Sequence, residues 1–253
     1  MTAIDEHAIR RIETPERPAT VTLKIDRPQV KNALRPEDVR ELDRHLRDAQ
    51  ADPKIQLVYI TGTDQTFCAG ADINYINALS GAELAAFIDS QSELLTRIVT
   101  MPKIVIAAVN GTSAGMGNHI AICSDLCVAT EDAVFHFTGA SRAVPSLLMG
   151  TLILPMMVGL KRAKEIYLRG GRIDAKRAVD DGFCNFTVSA SAWERTLDEL
   201  ATEFAARDPV TMAHNKYQLN QVVYPMIGPL RLSTLAGANA LSGAKAIPTG
   251  RLP

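Results

Sequence analysis

The chain of 253 residues has no uninterrupted run of 18 or more apolar residues, so no segment reads as a membrane-spanning helix. No secretory leader is expected either: "MTAIDEHAIRRIETPERP" is charged along its length and has no hydrophobic core of the secretory kind. Neither sign of charge is in excess. Lysine and arginine total 27 against 28 aspartates and glutamates, a formal net charge of −1. Proteins that track a phosphate backbone usually carry a basic patch or stripe, so no nucleic-acid partner is expected. Cysteine is limited to Cys68, Cys123, Cys127 and Cys184. No histidine pair stands beside Cys123 and Cys127 at zinc spacing. No metal is therefore expected, and the two read as small buried apolar residues in "IAICSDLCVA". With no leader expected, disulfides are not expected and a cytoplasmic location is. Low-complexity segments and visible repeats are absent as well.

What is present is an ordinary globular composition, 47% apolar and 22% charged. The length suits one large domain, or one domain with an appendage. In "ATVTLKID" the residues Val21, Leu23 and Ile25 alternate, the period of a strand with a buried face, and Arg27 and Pro28 end it. Pro36 stands near the start of a helix, where its missing N–H costs nothing. Val39, Leu42, Leu46 and Ala49 share one face of that helix. "IQLVYITG" and "KIVIAAVNG" are short apolar runs closed by glycine, suited to strands buried on both sides. A helix is predicted from about Ala82 to Val99, stopped by Pro102. A short helix after Gly117 leads into "DLCVAT", strand again. Strand and helix alternate to about residue 190, which predicts an α/β architecture. From Ser191 the strand signals vanish. Two helices follow, separated by Asp208 and Pro209, and the Gly/Ala-rich "AGANALSGAKAIPTGRLP" is predicted to finish loosely.

Two stretches of small residues invite chemistry: "TFCAGADINYI" (66–76) and "VNGTSAGMGNHIAICSD" (109–125). Small residues let backbone approach a ligand and leave N–H groups uncovered. A loop at a strand's end that opens a helix also aims the helix N-terminus, with its partial positive charge, outward. Two such loops from neighbouring strands place two N–H groups on one oxygen, an oxyanion hole. Taken singly, each loop also reads as a tight turn. Neither is a phosphate loop: Gly115, Met116 and Gly117 lack the G-K-[ST] ending, and the G-x-G-x-x-G spacing is not met.

With these residues in view, the chain resembles the crotonase superfamily, the enoyl-CoA hydratase/isomerase family. The resemblance is carried by "RPQVKNAL" (27–34), "TGTDQTFCAGADI" (61–73), "MPKIVIAAVNGTSAGMGNHIAICSDLCVAT" (101–130) and "GLKRAKEIYLRGGRIDAKRAVDDGFCNFTV" (159–188), in family order across most of residues 18–190. It implies a spiral of strand-strand-helix repeats over 1–190. It implies a helical region over 191–253 that packs on neighbouring subunits, giving a homotrimer or a dimer of trimers. It implies an acyl-CoA thioester as substrate, with CoA part of the substrate and no other cofactor. The thioester oxygen would be held by the N–H groups of Ala71 and Met116. Ala69 and the rest of "CAGAD" would lie against CoA, Asp72 and Ile73 near the adenine end, and Lys31 and Ala33 near the pantetheine or phosphates. The family often has glycine where Met116 stands; the backbone donor survives that change, and the side chain is read as turned toward the acyl pocket.

The resemblance breaks at the proton-transfer groups. Hydratases of the family use two glutamates, and the matching positions here are His119 and Gly139. The alignment is gapless to Gly159, and the run that follows carries the bulky Leu147, Leu148 and Met149. An unperturbed histidine titrates near neutral pH and serves as acid or base, so His119 is the leading candidate, its activity falling as pH drops through about 6.5. His136, between Phe135 and Phe137 on a strand, is the second candidate and is expected to face the pocket. Ser141, Arg142 and Ser146 fall where the acyl pocket should be and read as structural. His7, His45 and His214 read as solvated. Three functions remain open: an atypical enzyme that forms an enolate from an acyl-CoA; a β-diketone C–C bond hydrolase of the same superfamily using histidine; and a non-catalytic acyl-CoA-binding homologue.

Overall fold

The computed structural model describes residues 8–142 and 144–242. Residues 1–7, with His7, and the end of the chain past 242 lie outside the described residues. The elements in order are β1 (Ile9–Ile12), β2 (Thr20–Ile25), α1 (Pro36–Ala51), β3 (Leu57–Thr61), β4 (Thr66–Cys68), α2 (Ile73–Ile76), α3 (Gly81–Thr100), β5 (Ile104–Val109), β6 (Thr112–Ala114), α4 (Met116–Cys123), β7 (Leu126–Thr130) and β8 (Val134–Phe137). Then come α5 (Gly150–Val158), α6 (Leu160–Lys164), a π turn (Glu165–Arg169), β9 (Gly171–Asp174), α7 (Ala175–Asp181), β10 (Phe186–Val188), α8 (Trp193–Ala205), α9 (Pro209–Leu219) and α10 (Tyr224–Ser242).

The strands form two sheets. One has six strands in the order β1-β2-β3-β5-β7-β10, parallel except for β1; the other has four, β4-β6-β8-β9. Each repeat contributes a strand to the first sheet, the next strand to the second, then a helix. β3–β4–α3, β5–β6–α4 and β7–β8–α5 follow that rule. This is the spiral of strand-strand-helix units expected from the resemblance.

Period-2 alternation decides what each face of the large sheet buries. Val58 and Ile60 of β3, with Val105, Ala107 and Val109 of β5, join Val39, Leu42 and Leu46 of α1 and Leu94, Leu95 and Ile98 of α3 in the main core. Their neighbours Leu57, Tyr59, Ile104, Ile106 and Ala108 face the other way and pack on Leu197 and Ala201 of α8. The reading of these strands as buried on both sides holds.

Within the region expected to pack on neighbouring subunits, the apolar face of α8 formed by Leu197, Leu200 and Phe204 meets this chain's own sheet, and the Tyr59 hydroxyl donates to Leu197 O at 2.8 Å. The C-terminal region is tied down again at Lys216. This side chain is 3% exposed and donates to Ile98 O (2.8 Å), Lys103 O (2.9 Å) and Asp125 Oδ2 (2.7 Å). Asp208 caps α9 and Pro209 opens it, in line with the sequence pattern. That pattern does not predict a third C-terminal helix. α10 contains Pro229 and two glycines, yet runs to Ser242, into the stretch read as loose. Packing on α3 supports it: Arg231 holds Asp89 with two contacts of 2.6 Å and Glu93 at 3.1 Å. β1 is likewise an addition to the pattern; Glu41 Oε2 accepts from the amides of Ala8 and Ile9 there.

Candidate active site

The two small-residue loops come together because the strands that carry them pair. β4 runs parallel to β6, with Thr66 opposite Thr112 and Cys68 opposite Ser113. The backbones beyond those strands then nearly touch. Gly70 has φ +96° and Gly115 φ +51°, values that L side chains rarely adopt. A Cβ on Gly70 would lie 3.1 Å from Ala114 O and 3.3 Å from Gly115 Cα. Gly117 is just as confined, its Cβ position 2.5 Å from Cys68 O. The amides of Gly70 (3.4 Å) and Gly117 both point at the Cys68 sulfur, which stitches the loops together. Burial pushes that thiol up to about 12, so it stays protonated.

A third segment zips onto the first loop. Ala69 N–H donates to Lys31 O (3.1 Å), Leu34 N–H to Gly70 O (2.8 Å) and Asp72 N–H to Leu34 O (2.9 Å). Lys31 and Asn32 take left-handed φ of +54° and +56° to allow it. Buried Asn32 holds the turn: its Oδ1 accepts from Arg27 N–H (2.9 Å) and its Nδ2 donates to Thr63 O (3.1 Å) and Thr66 O (2.6 Å). Arg27, itself buried, pairs with Asp38 at 3.0 Å and donates to Ala33 O. Sequence reasoning does not single out Arg27, Asn32 and Asp38. The signal is nonetheless there in "RPQVKNAL", since a motif that must make a tight left-handed turn needs a side chain to satisfy it.

The ledge therefore gathers Lys31, Ala33, Ala69, Ala71 and Asp72. Ala33 is buried, Lys31 exposed, and Ala69, Ala71, Asp72 and Ile73 half-buried. Asp72 also acts locally as the cap of α2, accepting from Tyr75 N–H at 3.4 Å. Within the Leu34–Ala71 bridge the Gly70 carbonyl accepts and the Asp72 N–H donates. Among the described residues, no hydrogen bond uses Ala71 N–H or Met116 N–H. The second is the first amide of α4, an orphan by position. The Met116 side chain is 3% exposed and belongs to the main core rather than to an open pocket.

His119 lies one turn along α4 from Met116. Helical side chains lean back over the preceding turn, so the imidazole lies toward the helix end that carries Met116 N–H. It is 7% exposed. Nε2 is 3.3 Å from Ser146 Oγ, and Nδ1 is buried without a partner. Burial lowers its pKa to about 4, which corrects the expectation of titration near 6.5. Gly150, at the start of α5, is pressed against the ring: a Cβ there would stand 2.3 Å from Nδ1. Gly139 sits in a tight turn, its carbonyl accepting from Val144 N–H at 2.9 Å, and a Cβ on it would meet Val144 O at 2.7 Å.

His136 lies opposite Ala114 in the parallel β6–β8 pair and opposite Arg172 in the antiparallel β8–β9 pair. Asn118 Nδ2 donates to His136 O at 2.9 Å. Phe135 and Phe137 are buried and His136 half-buried, the alternation expected. Its pKa is lowered by burial, then by the positive charges of Arg172 and Lys31. His214 is exposed as expected. His45 is not solvated: its side chain is 12% exposed and Nδ1 is buried without a partner. The cysteines are all buried and reduced.

The family description "Enoyl-CoA hydratase/isomerase" matches residues 16–227. The chain is similar to the crotonyl-CoA hydratase of Syntrophomonas wolfei, 30% identical over 200 residues, 79% of this chain and 77% of that protein. It is similar to the short-chain-enoyl-CoA hydratase of Clostridium acetobutylicum, 29% identical over 211 residues, 83% of this chain and 80% of the other. Among solved structures, an enoyl-CoA hydratase from Polaromonas sp. JS666 superposes with a TM-score of 0.79 at 28% identity, covering 92% of this chain and 90% of that one.

Proposed function

Since the chain belongs to the enoyl-CoA hydratase/isomerase family, we propose that it acts on an acyl-CoA thioester by stabilising an enolate, with one histidine in place of the paired glutamates. What supports this reading is that the amides of Ala71 and Met116, each without a hydrogen-bond partner among the described residues, each follow a glycine, and those two glycines, Gly70 and Gly115, stand against one another. Two N–H groups fixed before the substrate arrives need no reorganisation when charge develops on the thioester oxygen. The ledge of residues 31–34 and 69–72 suits the CoA moiety, with Lys31 and Arg172 offering positive charge to its phosphates.

His119 supplies the proton transfer. Burial lowers its basicity to that of a carboxylate, whose unperturbed pKa is about 4.3. It thereby matches in strength the group it replaces, while resting neutral rather than anionic. One imidazole moves one proton out and back; it does not deprotonate water and protonate carbon at once. Double-bond isomerisation, which takes a proton from Cα and returns it to Cγ, fits this better than hydration.

Met116→Pro tests the donor. Proline is tolerated at the first position of a helix, and the preceding Gly115 adapts to it, so the fold should survive while the N–H is lost. Turnover of a 3-enoyl-CoA should fall by about 10²–10³-fold with little change in thioester affinity. A folded Met116→Pro protein with undiminished turnover would overturn the assignment.

A further inference from the structure

We infer that Ser146 is the side chain through which His119 reaches the substrate, a hydroxyl relay between the buried imidazole and the reacting carbon; this rests on the reading of His119 above. His119 is 7% exposed. Its Nδ1 faces Gly150 so closely that no Cβ fits between them. Its remaining polar atom, Nε2, is covered by Ser146 Oγ at 3.3 Å. Ser146 itself is exposed. A hydroxyl needed only to satisfy a buried ring could be buried with it; this one is open to the outside. The Tyr167 hydroxyl is also buried, lacks a hydrogen bond of good geometry, and has Ser146 as the polar group facing it. Ser146 Oγ thus stands between the buried His119 imidazole and the buried hydroxyl of Tyr167, neither of which has another polar partner among the described residues.

The step balances without a co-reactant. The Cα proton of the thioester passes to Ser146 Oγ as the Ser146 proton passes to His119 Nε2. The C–H electron pair becomes the enolate, whose oxygen takes the Ala71 and Met116 amides. In a 3-enoyl-CoA the reverse transfer delivers the proton to Cγ, and Ser146 and His119 end as they began. Ser146 therefore touches the reacting atoms, while His119 acts as the base behind it.

The test is the exchange of the Cα protons of butyryl-CoA in D2O, followed by proton NMR, for the wild type, Ser146→Ala, Ser146→Thr and His119→Ala. The relay predicts that Ser146→Ala slows exchange by about 10²-fold or more, as His119→Ala does, with butyryl-CoA affinity unchanged. Ser146→Thr, which keeps the hydroxyl, should retain most of the rate. A Ser146→Ala rate within about threefold of wild type, far below the usual proton-transfer contribution, overturns the relay. If His119→Ala is then inactive, the histidine reading stands and only the relay falls. Retention of the rate by both variants would overturn both. A second readout is independent of turnover: the ¹⁵N resonance of His119 Nε2 should move in Ser146→Ala. Should the wild type show no exchange, the enolate reading falls, and an unmoved Nε2 resonance overturns the Ser146 contact separately.

Discussion

Gly150 and His119 are locked together: the position of a Cβ on Gly150 lies 2.3 Å from Nδ1 of the imidazole. Neither backbone nor ring can yield cheaply, because Gly150 begins α5 and His119 sits within α4, both buried. Gly150→Ala should therefore rotate the imidazole away from Ser146. The expected result is a stability loss of about 1–3 kcal/mol, typical of overpacking, and a larger loss of turnover than of thioester affinity. Thermal denaturation and steady-state kinetics on the one variant check both.

The pH dependence follows from burial of the same ring. His119 is held neutral down to about 4, whereas in the unfolded chain it titrates near 6.5. Between those values the unfolded state binds more protons, so stability falls as pH falls through that window and is constant above it. Burial lowers the pKa of His45 and His136 as well, which adds in the same direction. Turnover should hold through pH 6 and fail only as pH approaches 4. Urea denaturation at pH 7 and pH 5, with wild type and His119→Gln compared, should show a smaller loss in the variant.

Lys216 and Asp125 make the C-terminal helices part of the core. Burial lowers the lysine's pKa and raises the aspartate's, yet the 2.7 Å contact and two carbonyls stabilise the pair. Lys216→Met leaves Asp125 buried without its partner and should cost about 3–5 kcal/mol. The double variant Lys216→Met, Asp125→Leu should recover part of that. A melting temperature for Lys216→Met equal to wild type would refute the role.

Self-association should use α9 and α10 and the turn between them. With the Leu197 face spent on its own sheet, α9, α10 and the turn between them still leave Val210 (75% exposed), Leu219 (78%), Val222 (59%) and Leu232 (72%) outward, while Leu160 (59%) and Leu168 (74%) are exposed elsewhere. Single apolar side chains are ordinary on a surface, but several together mark an interaction site. Light scattering at micromolar concentration is expected to give a trimer or a multiple of it, and Leu219→Glu with Leu232→Glu should shift it toward monomer.

Legibility followed sequence distance. Val21, Leu23 and Ile25 announce β2 because period-2 alternation is local, and Val39, Leu42 and Leu46 announce α1 for the same reason. The two loops are readable as loops, and their meeting as a consequence of strand order. What the sequence hides depends on partners far along the chain. The approach of Ser146 to His119 spans 27 residues, and nothing local distinguishes Ser146 from Ser141. α10 is hidden because Gly228, Pro229 and Gly237 argue against a helix, while its support comes from Asp89 and Glu93 on α3. His45 looks solvated because its helix is amphipathic, and the cover over it comes from the β1 edge. Lys216 gives no sign that its ammonium will be met by two carbonyls and a carboxylate.

The central claim is that one buried imidazole beside two free amides does the work for which hydratases use paired carboxylates. Its most direct measurement sets two reactions of the wild type side by side at pH 7. One is the conversion of a 3-enoyl-CoA to the conjugated 2-enoyl-CoA, seen as a gain in conjugated-thioester absorbance. The other is the hydration of crotonyl-CoA, seen as its loss. The claim predicts isomerisation that His119→Ala abolishes, with hydration weaker by about 10²-fold or more, the usual worth of one acid–base group. Rapid crotonyl-CoA hydration that His119→Ala leaves unchanged would contradict it.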